Sequence, residues 1–175
     1  MKRIELQQSQ TLGTAKIDYL INEEDYEYAG MCSGMAVYST PFDKSFTEIE
    51  VLDLSTTRRN KTRRIMQITL TYTKRGSYTV EMVSIDRKYQ GHGIAPRIYR
   101  YIMRKFGIVL EAGSQQSPGG RSVWAALSKM TRVTMHAIDS KFNFYDVEAI
   151  DGELISDDID VYNGRKVVRV LAKYI

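Results

Sequence analysis

Residues 83–95 read Val83-Ser84-Ile85-Asp86-Arg87-Lys88-Tyr89-Gln90-Gly91-His92-Gly93-Ile94-Ala95, an apolar strand end followed by a turn with two glycines. A helix is predicted to begin after this turn, at about Pro96. The N-terminus of a helix carries partial positive charge and unpaired N–H donors, so it favours phosphate. Because Gly91 and Gly93 lack a Cβ, a phosphate can approach the main chain closely. The stretch therefore predicts a site for a nucleotide-like or coenzyme-like ligand.

The pattern around this turn predicts a single α+β domain over residues 1–175. Alternating apolar residues predict strands, and a 3.6-residue period after the turn predicts a helix that ends at Gly107. The predicted strands are 46–54, 65–73, 78–85, 108–112, 133–138, 142–149 and 166–174. Short helices are predicted at 11–22 and from a Ser122 cap to about Lys129, with loops at 30–34 and 114–121.

The strand–helix–strand connection after the turn predicts where the next strand lies. Ile108–Ala112 should run parallel to Tyr78–Ile85, with the crossover helix on one face of the sheet. The expected fold is therefore a mixed, mostly antiparallel, twisted sheet covered by few helices, with a β-α-β-α core at about 78–130.

Composition excludes several classes of protein. The chain has 175 residues, 43% of them hydrophobic and 26% charged, which is ordinary for a globular protein. No apolar run approaches the ~20 residues of a membrane helix, and the N-terminus has no secretory h-region. Cys32 is the only cysteine, which excludes an intramolecular disulfide and a cysteine-based zinc site. A reducing cytoplasm is the expected location.

The basic residues cluster at Arg58-Arg59-Asn60-Lys61-Thr62-Arg63-Arg64. Such a cluster suits a phosphate or an acidic partner, and it also suits a solvated loop between two strands of a hairpin. No aromatic residue is interleaved for base stacking, so the hairpin loop is favoured and nucleic-acid binding is not expected.

The segment Gln90-Gly91-His92-Gly93-Ile94-Ala95 resembles the coenzyme loop of the GNAT superfamily of acetyl-coenzyme A-dependent N-acetyltransferases. That loop reads Arg or Gln, two residues, Gly, one residue, then Gly or Ala. The likeness extends to about Lys129, and the Ser-Pro-Gly-Gly-Arg-Ser-x-Trp-x-x-Leu run at 117–127 also resembles bacteriophage-encoded members. A dinucleotide loop would need a third glycine where Pro96 stands, and no Gly-x-x-x-x-Gly-Lys-Ser/Thr phosphate loop is present.

The resemblance implies acetyl-CoA as co-substrate and no metal. Backbone N–H groups of Gln90, Gly91, His92, Gly93, Ile94 and Ala95 would hold the pyrophosphate. Main-chain groups of Val83, Ser84 and Ile85 would pair with the pantetheine arm as an extra strand does. Arg87 and Lys88 would either add charge near the phosphates or remain solvated, and the sequence leaves both readings open.

Glu81 and Ser128 are the candidate catalytic residues. Many GNAT members carry a carboxylate base where Glu81 lies, and strict alternation would place its side chain on the face of Val83 and Ile85. The alternative for Glu81 is a cross-strand ion pair. Many relatives carry a tyrosine that acts as the acid where Ser128 stands. Either Tyr145 or Tyr162 would then protonate the departing thiolate here, or the thiolate would leave unaided.

The remaining polar residues give weaker signals. His92 is expected to be solvated, His136 to be a structural histidine in a strand, and the two do not form a metal site. The acidic run of Glu23, Glu24, Asp25 and Glu27 either attracts a cationic acceptor or forms an exposed face. The expected activity is acetyl transfer to an amine of a small molecule or a protein. A non-catalytic acyl-CoA-binding or protein-interaction module is the alternative, and the oligomeric state stays open, a dimer included.

Overall fold

The computed structural model of the chain describes residues 11–43, 45–113, 116–141, 143–151, 153–156, 161 and 169–175. Its helices are α1 (Ile17–Glu23), α2 (Ile94–Phe106) and α3 (Pro118–Ser128), with a single 3₁₀ turn at Arg87–Tyr89. Its strands are β1 (Thr14–Lys16), β2 (Glu27–Cys32), β3 (Met35–Ser39), β4 (Phe46–Arg58), β5 (Lys61–Tyr72), β6 (Tyr78–Ile85), β7 (Val109–Ala112), β8 (Val133–Ile138), β9 (Phe144–Asp146), β10 (Glu148–Ile150), β11 (Glu153–Ile155) and β12 (Arg169–Tyr174).

One large sheet organises the described part of the chain, in the order β2-β3-β4-β5-β6-β7-β12-β8-β9, with β1 beside β5. Its pairings are antiparallel except for β6 with β7, which run parallel with Tyr78 opposite Leu110 and Val80 opposite Ala112. The α+β class, the mostly antiparallel sheet and the parallel crossover are therefore confirmed. No helix within the described ranges is long and apolar enough to cross a membrane.

The two helices after the glycine turn begin earlier than expected. Helix α2 begins at Ile94 rather than Pro96, and it ends at Gly107, whose φ of 64° gives the predicted left-handed cap. Helix α3 begins at Pro118, so the loop prediction for 118–121 and the Ser122 cap are wrong. Ser117 is the cap instead, because its Oγ accepts a hydrogen bond from the Gly120 N–H at 3.1 Å.

The N-terminal segment contains more sheet than its sequence pattern predicts. The helix expected over 11–22 is limited to α1, because residues 14–16 pair with β5 as β1. The loop expected over 30–34 is a hairpin of β2 and β3, with Gly30 inside a bulged β2. The Tyr101 hydroxyl of α2 donates to the Ala29 carbonyl at 2.7 Å, so this edge strand is tied to the helix.

The basic segment belongs to a long hairpin rather than to a loop. Strands β4 and β5 continue through it, and only Arg59 and Asn60 form the turn, both with positive φ as a two-residue type I′ turn requires. The strand expected over 142–149 divides into β9 and β10, which pair with different strands. The strand expected over 166–174 is described from Arg169 onward, and 166–168 lie outside the described residues.

Two apolar layers cover the two faces of the sheet. The larger layer lies under α2 and α3, where Ile98 and Ile102 of α2 are fully buried and Trp124 of α3 packs 5.4 Å from Tyr99, ring centre to ring centre. Trp124 and Leu127 of α3 are both buried in this layer. The smaller layer lies under α1 on the opposite face and contains Ala36, Tyr38 and Leu52.

Candidate functional site

Asp86 organises the chain between β6 and the glycine turn. Its carboxylate is buried and accepts hydrogen bonds from the Lys88 N–H at 3.0 Å and from the Leu12 N–H at 3.1 Å. The first bond caps the 3₁₀ turn, and the second fastens the N-terminal segment against it. The Gln90 side chain then donates to the Ile85 carbonyl at 2.9 Å, which closes the turn onto the end of β6. The turn therefore has a defined conformation.

The glycine turn presents open main chain at the start of α2. Gly91 and Gly93 have φ values of 75° and 64°, and a Cβ built on either would meet no atom within 4 Å. The side chain of Arg97 donates to the carbonyls of His92 at 2.7 Å and of Gly93 at 2.9 Å, so it holds two carbonyls away from the helix N-terminus. The turn can therefore offer N–H groups to an anion, with the Arg97 cation beside it.

Arg97 is a site residue that sequence reasoning missed. Its position four residues after Gly93 places it one helical turn from the glycine, which is the only signal that the pattern carries. His92 is exposed as expected, and Arg87 and Lys88 are exposed as well.

Strands β6 and β7 part after a short parallel contact. They pair from Tyr78 to Val80, and residues 81–85 of β6 have no strand partner on that side in the described part of the chain. Gly113 follows β7 at the point of separation, where an added Cβ would lie 2.9 Å from the Val80 carbonyl oxygen. A cleft between two strands with free N–H and C=O groups can accept an extended ligand as an added strand.

A β-bulge at Glu81 changes the face on which its side chain is expected. Thr69 lies opposite Met82 while the next residue, Leu70, lies opposite Val80, so Glu81 is the extra residue. Val83 and Ile85 lie on the face covered by α2, whereas the exposed Glu81 and Met82 belong with Thr69 on the other face. The expectation that Glu81 shares a face with Val83 and Ile85 is therefore wrong, because the bulge interrupts the alternation.

Two of the residues considered for the acid, Ser128 and Tyr145, have hydrogen-bond partners close to them in the chain. The Ser128 hydroxyl donates to the Ala125 carbonyl of its own helix at 2.9 Å. Tyr145 lies on β9 and donates to Asp139 at 3.1 Å, four strands from β6, which corresponds to about 19 Å. Tyr162 lies outside the described residues.

The other polar candidates take structural or surface positions. His136 lies in β8 as expected, with its Nδ1 3.3 Å from an Asp146 oxygen, and Cys32 is buried. Groups of His, Cys, Asp and Glu suited to hold a metal are absent from the residues that the structure describes. Glu24, Asp25 and Glu27 line an open cavity of about 610 Å³ with Asp43, on the face that carries α1; nothing is described of the Glu23 side chain.

No protein-family model matches the sequence, and no curated protein matches it. Among solved structures, the chain is similar to an IAA acetyltransferase from Bacillus cereus, with 14% identity and a TM-score of 0.35 over 81% of this chain and 79% of that one. It is also similar to a tandem GNAT protein from the clavulanic acid biosynthesis pathway, with 17% identity and a TM-score of 0.34 over 58% of this chain. It spans about a third of that protein's length, since 34% of that chain is covered.

Proposed function

We propose that this chain is a GNAT-type N-acetyltransferase that moves the acetyl group of acetyl-CoA to an amine. One observation carries the proposal: β6, whose residues 81–85 have no strand partner on the β7 side in the described part of the chain, is followed after one 3₁₀ turn by a glycine turn at a helix N-terminus. The first feature suits the pantetheine arm, and the second suits the pyrophosphate at its end. The strand and the turn follow one another in the chain as the pantetheine arm and the pyrophosphate follow one another in the coenzyme.

Each part of the site has a role in this reaction. The N–H groups from Gln90 to Ala95 bind the pyrophosphate, and the main chain of Val83, Ser84 and Ile85 pairs with the pantetheine arm. A main-chain N–H near Val83 stabilises the negative charge that develops on the thioester oxygen. These roles use backbone groups, so they depend on the path of the chain more than on side-chain identity.

Glu81 is the proposed base. The amine nitrogen attacks the thioester carbon, the C–S bond breaks, and the coenzyme leaves as a thiolate. The proton lost by the nitrogen passes to Glu81, directly or through water, and the thiolate takes a proton from solvent. The bulge favours this role because it exposes the Glu81 carboxylate beside the cleft.

Thermal shift and thiol release test the proposal in two steps. Acetyl-CoA should raise the melting temperature, because a ligand that binds only the folded chain stabilises it. An unchanged melting temperature at millimolar acetyl-CoA would reject the coenzyme site. Free thiol should then appear when a primary amine from a panel is added.

Glu81→Gln tests the base. We expect kcat to fall by about a hundredfold or more while acetyl-CoA affinity stays the same, because a base contributes to the chemical step and not to coenzyme binding. Glu48→Gln, on the same face, is the control and should keep its rate. Equal rates for Glu81→Gln and the unmodified chain would remove Glu81 as the base.

A non-catalytic acyl-CoA-binding module is the second candidate. It is favoured by Ser128, whose hydroxyl is engaged by its own helix at the place where many relatives carry a tyrosine acid. Coenzyme binding without thiol release across the amine panel would select this candidate.

A further inference from the structure

The face of the sheet that the helices leave uncovered indicates the side from which the acceptor amine enters the cleft. Helices α2 and α3 pack on one face, where Val83 and Ile85 lie against the larger apolar layer. On the opposite face, Glu81 and Met82 are exposed, and within the described residues α1 covers the part near β3 and β4. If the thioester lies along β6, as the proposed function requires, we expect an amine to reach it from this second face.

A row of polar side chains crosses the second face toward β6. The register places Tyr38 of β3 opposite Glu50 of β4, Glu50 opposite Gln67 of β5, and Gln67 opposite Ser84 of β6. Directly opposed residues have Cβ atoms about 5 Å apart, so Gln67 stands next to the strand that forms the cleft. Gln67 is partly exposed, whereas Glu50 is 2% exposed.

Glu50 fixes the orientation of the Gln67 amide. Gln67 Nε2 donates to Glu50 Oε1 at 2.6 Å, and the Arg64 Nε lies 3.2 Å from the same oxygen as an ion pair. Since Oε1 accepts the Gln67 N–H and lies beside the Arg64 cation, any proton on Glu50 would sit on Oε2, which has no hydrogen-bond partner within the described residues. Oε1 therefore remains an acceptor in either protonation state, and the NH₂ group of Gln67 must point toward it.

The carbonyl oxygen of the Gln67 amide is therefore available on the uncovered face. With Nε2 held by Glu50, the Gln67 Oε1 is left as the acceptor end of the amide, and no partner for it is found in the described part of the chain. An amine that attacks a thioester must turn its lone pair to the carbonyl carbon, so its N–H bonds point away. A carbonyl oxygen held behind the nitrogen suits those N–H bonds, and the contact strengthens as the nitrogen gains positive charge.

We propose that Gln67 positions the acceptor amine against β6 by accepting one of its N–H bonds, and that buried Glu50 is the positioning residue that orients Gln67. The acceptor is a primary amine that enters from the face opposite α2 and α3. This inference rests on the proposed function.

A bisubstrate conjugate tests the inference without needing turnover. In this probe the coenzyme A sulfur is joined through an acetyl bridge to the nitrogen of pentylamine, so that its amide N–H stands for the attacking amine. Calorimetry compares its affinity with that of coenzyme A. The unmodified chain should bind the conjugate about tenfold more tightly, and Gln67→Ala should reduce this advantage to about twofold or less with its coenzyme A affinity unchanged.

Thr71→Ala is the matched control, because Thr71 lies on the same strand and face about 13 Å from Gln67. It should keep both affinities. If coenzyme A does not bind the unmodified chain, the proposed function itself fails. If coenzyme A binds but the conjugate has no advantage, or Gln67→Ala keeps that advantage, only the present inference is overturned.

Two substitutions of Glu50 separate positioning from a general structural role. Glu50→Gln retains an oxygen that can accept from Gln67, and it should keep most of the conjugate's advantage. Glu50→Ala leaves Gln67 without its acceptor and should lose the advantage while coenzyme A affinity, which reports a folded site, is kept. Equal behaviour of the two variants would overturn the positioning role, and if the alanine variant does not fold, Gln67→Ala decides.

Discussion

Gly93 combines a backbone requirement with a place in the proposed site. Its φ of 64° is reached by glycine without steric cost, and the space above it is open. We expect Gly93→Ala to lower the free energy of unfolding by about 1 kcal/mol and to weaken acetyl-CoA binding at least tenfold, since its methyl group enters the space proposed for the pyrophosphate.

Gly76→Ala separates the two effects of that substitution. Gly76 has a φ of 82° in the β5–β6 turn, and its added Cβ would make only an ordinary contact at 3.8 Å. It should show a similar loss of stability in urea denaturation with no loss of coenzyme affinity in calorimetry. A parallel loss of affinity in both variants would show that strain, and not position, weakens binding.

At the scale of single elements, the start of α3 distinguishes two serines that look alike in the sequence. Ser117 caps the helix, whereas the Ser122 hydroxyl donates to the Pro118 carbonyl within it. We expect Ser117→Ala to cost about 1 kcal/mol of unfolding free energy and Ser122→Ala to be nearly neutral, because only the first leaves a helix N–H without its acceptor. Urea denaturation measures both, and a larger cost at Ser122 would contradict the observed cap.

The elements near the glycine turn could be predicted from sequence because their signals are local. Strand β6, the turn and the end of α2 at Gly107 depend on residues a few positions apart. Strands β2 and β3 could not be recognised in this way, since Gly30 and the bulge interrupt the alternation of β2, and β3 is buried throughout and shows no alternation. The Pro118-Gly119-Gly120 run resembles a loop, and only its capped position shows that it opens a helix.

The same distinction between local and long-range signals applies to the candidate site. The loop pattern is enough to predict the backbone groups of the turn. The face on which the Glu81 side chain lies depends on how β6 pairs with β5, and the sequence of β6 alone does not contain this information. Gln67 and Glu50 were not recognised for the same reason, because a row across four strands exists only after the register is set. Arg97 was missed because an arginine on an exposed helical turn is usually solvated.

At the scale of the whole molecule, we expect the burial of Glu50 to make the stability depend on pH. Burial raises its pKa, and the charges of Glu24 and Glu48 add to this, while Arg64 and the hydrogen bond from Gln67 oppose it. Because the folded pKa lies above the unfolded value of about 4.3, the unfolded chain releases its proton first as the pH rises. Glu50 therefore lowers the stability progressively from that pH up to its folded pKa.

Comparison of the unmodified chain with Glu50→Gln isolates this contribution. The unfolding free energy of the unmodified chain, relative to that of the variant, should be highest at about pH 4 and should fall as the pH rises. Urea denaturation across this range measures the difference. A difference that increases with pH would mean that the ion pair with Arg64 outweighs the burial of the carboxylate.

This sheet has backbone groups without a strand partner in its interior, beside residues 81–85 of β6, as well as on its border strands. A border strand can be extended by any polypeptide, and β2 limits this through its bulge and its bond to Tyr101. The gap beside 81–85 is different, because β7 pairs with β6 as far as Val80 and so closes one end of it. A polypeptide strand carries side chains on both faces, so it needs more room beside β6 than an unbranched chain does. We therefore expect the closed end at Val80 to hinder a second polypeptide from pairing with these backbone groups.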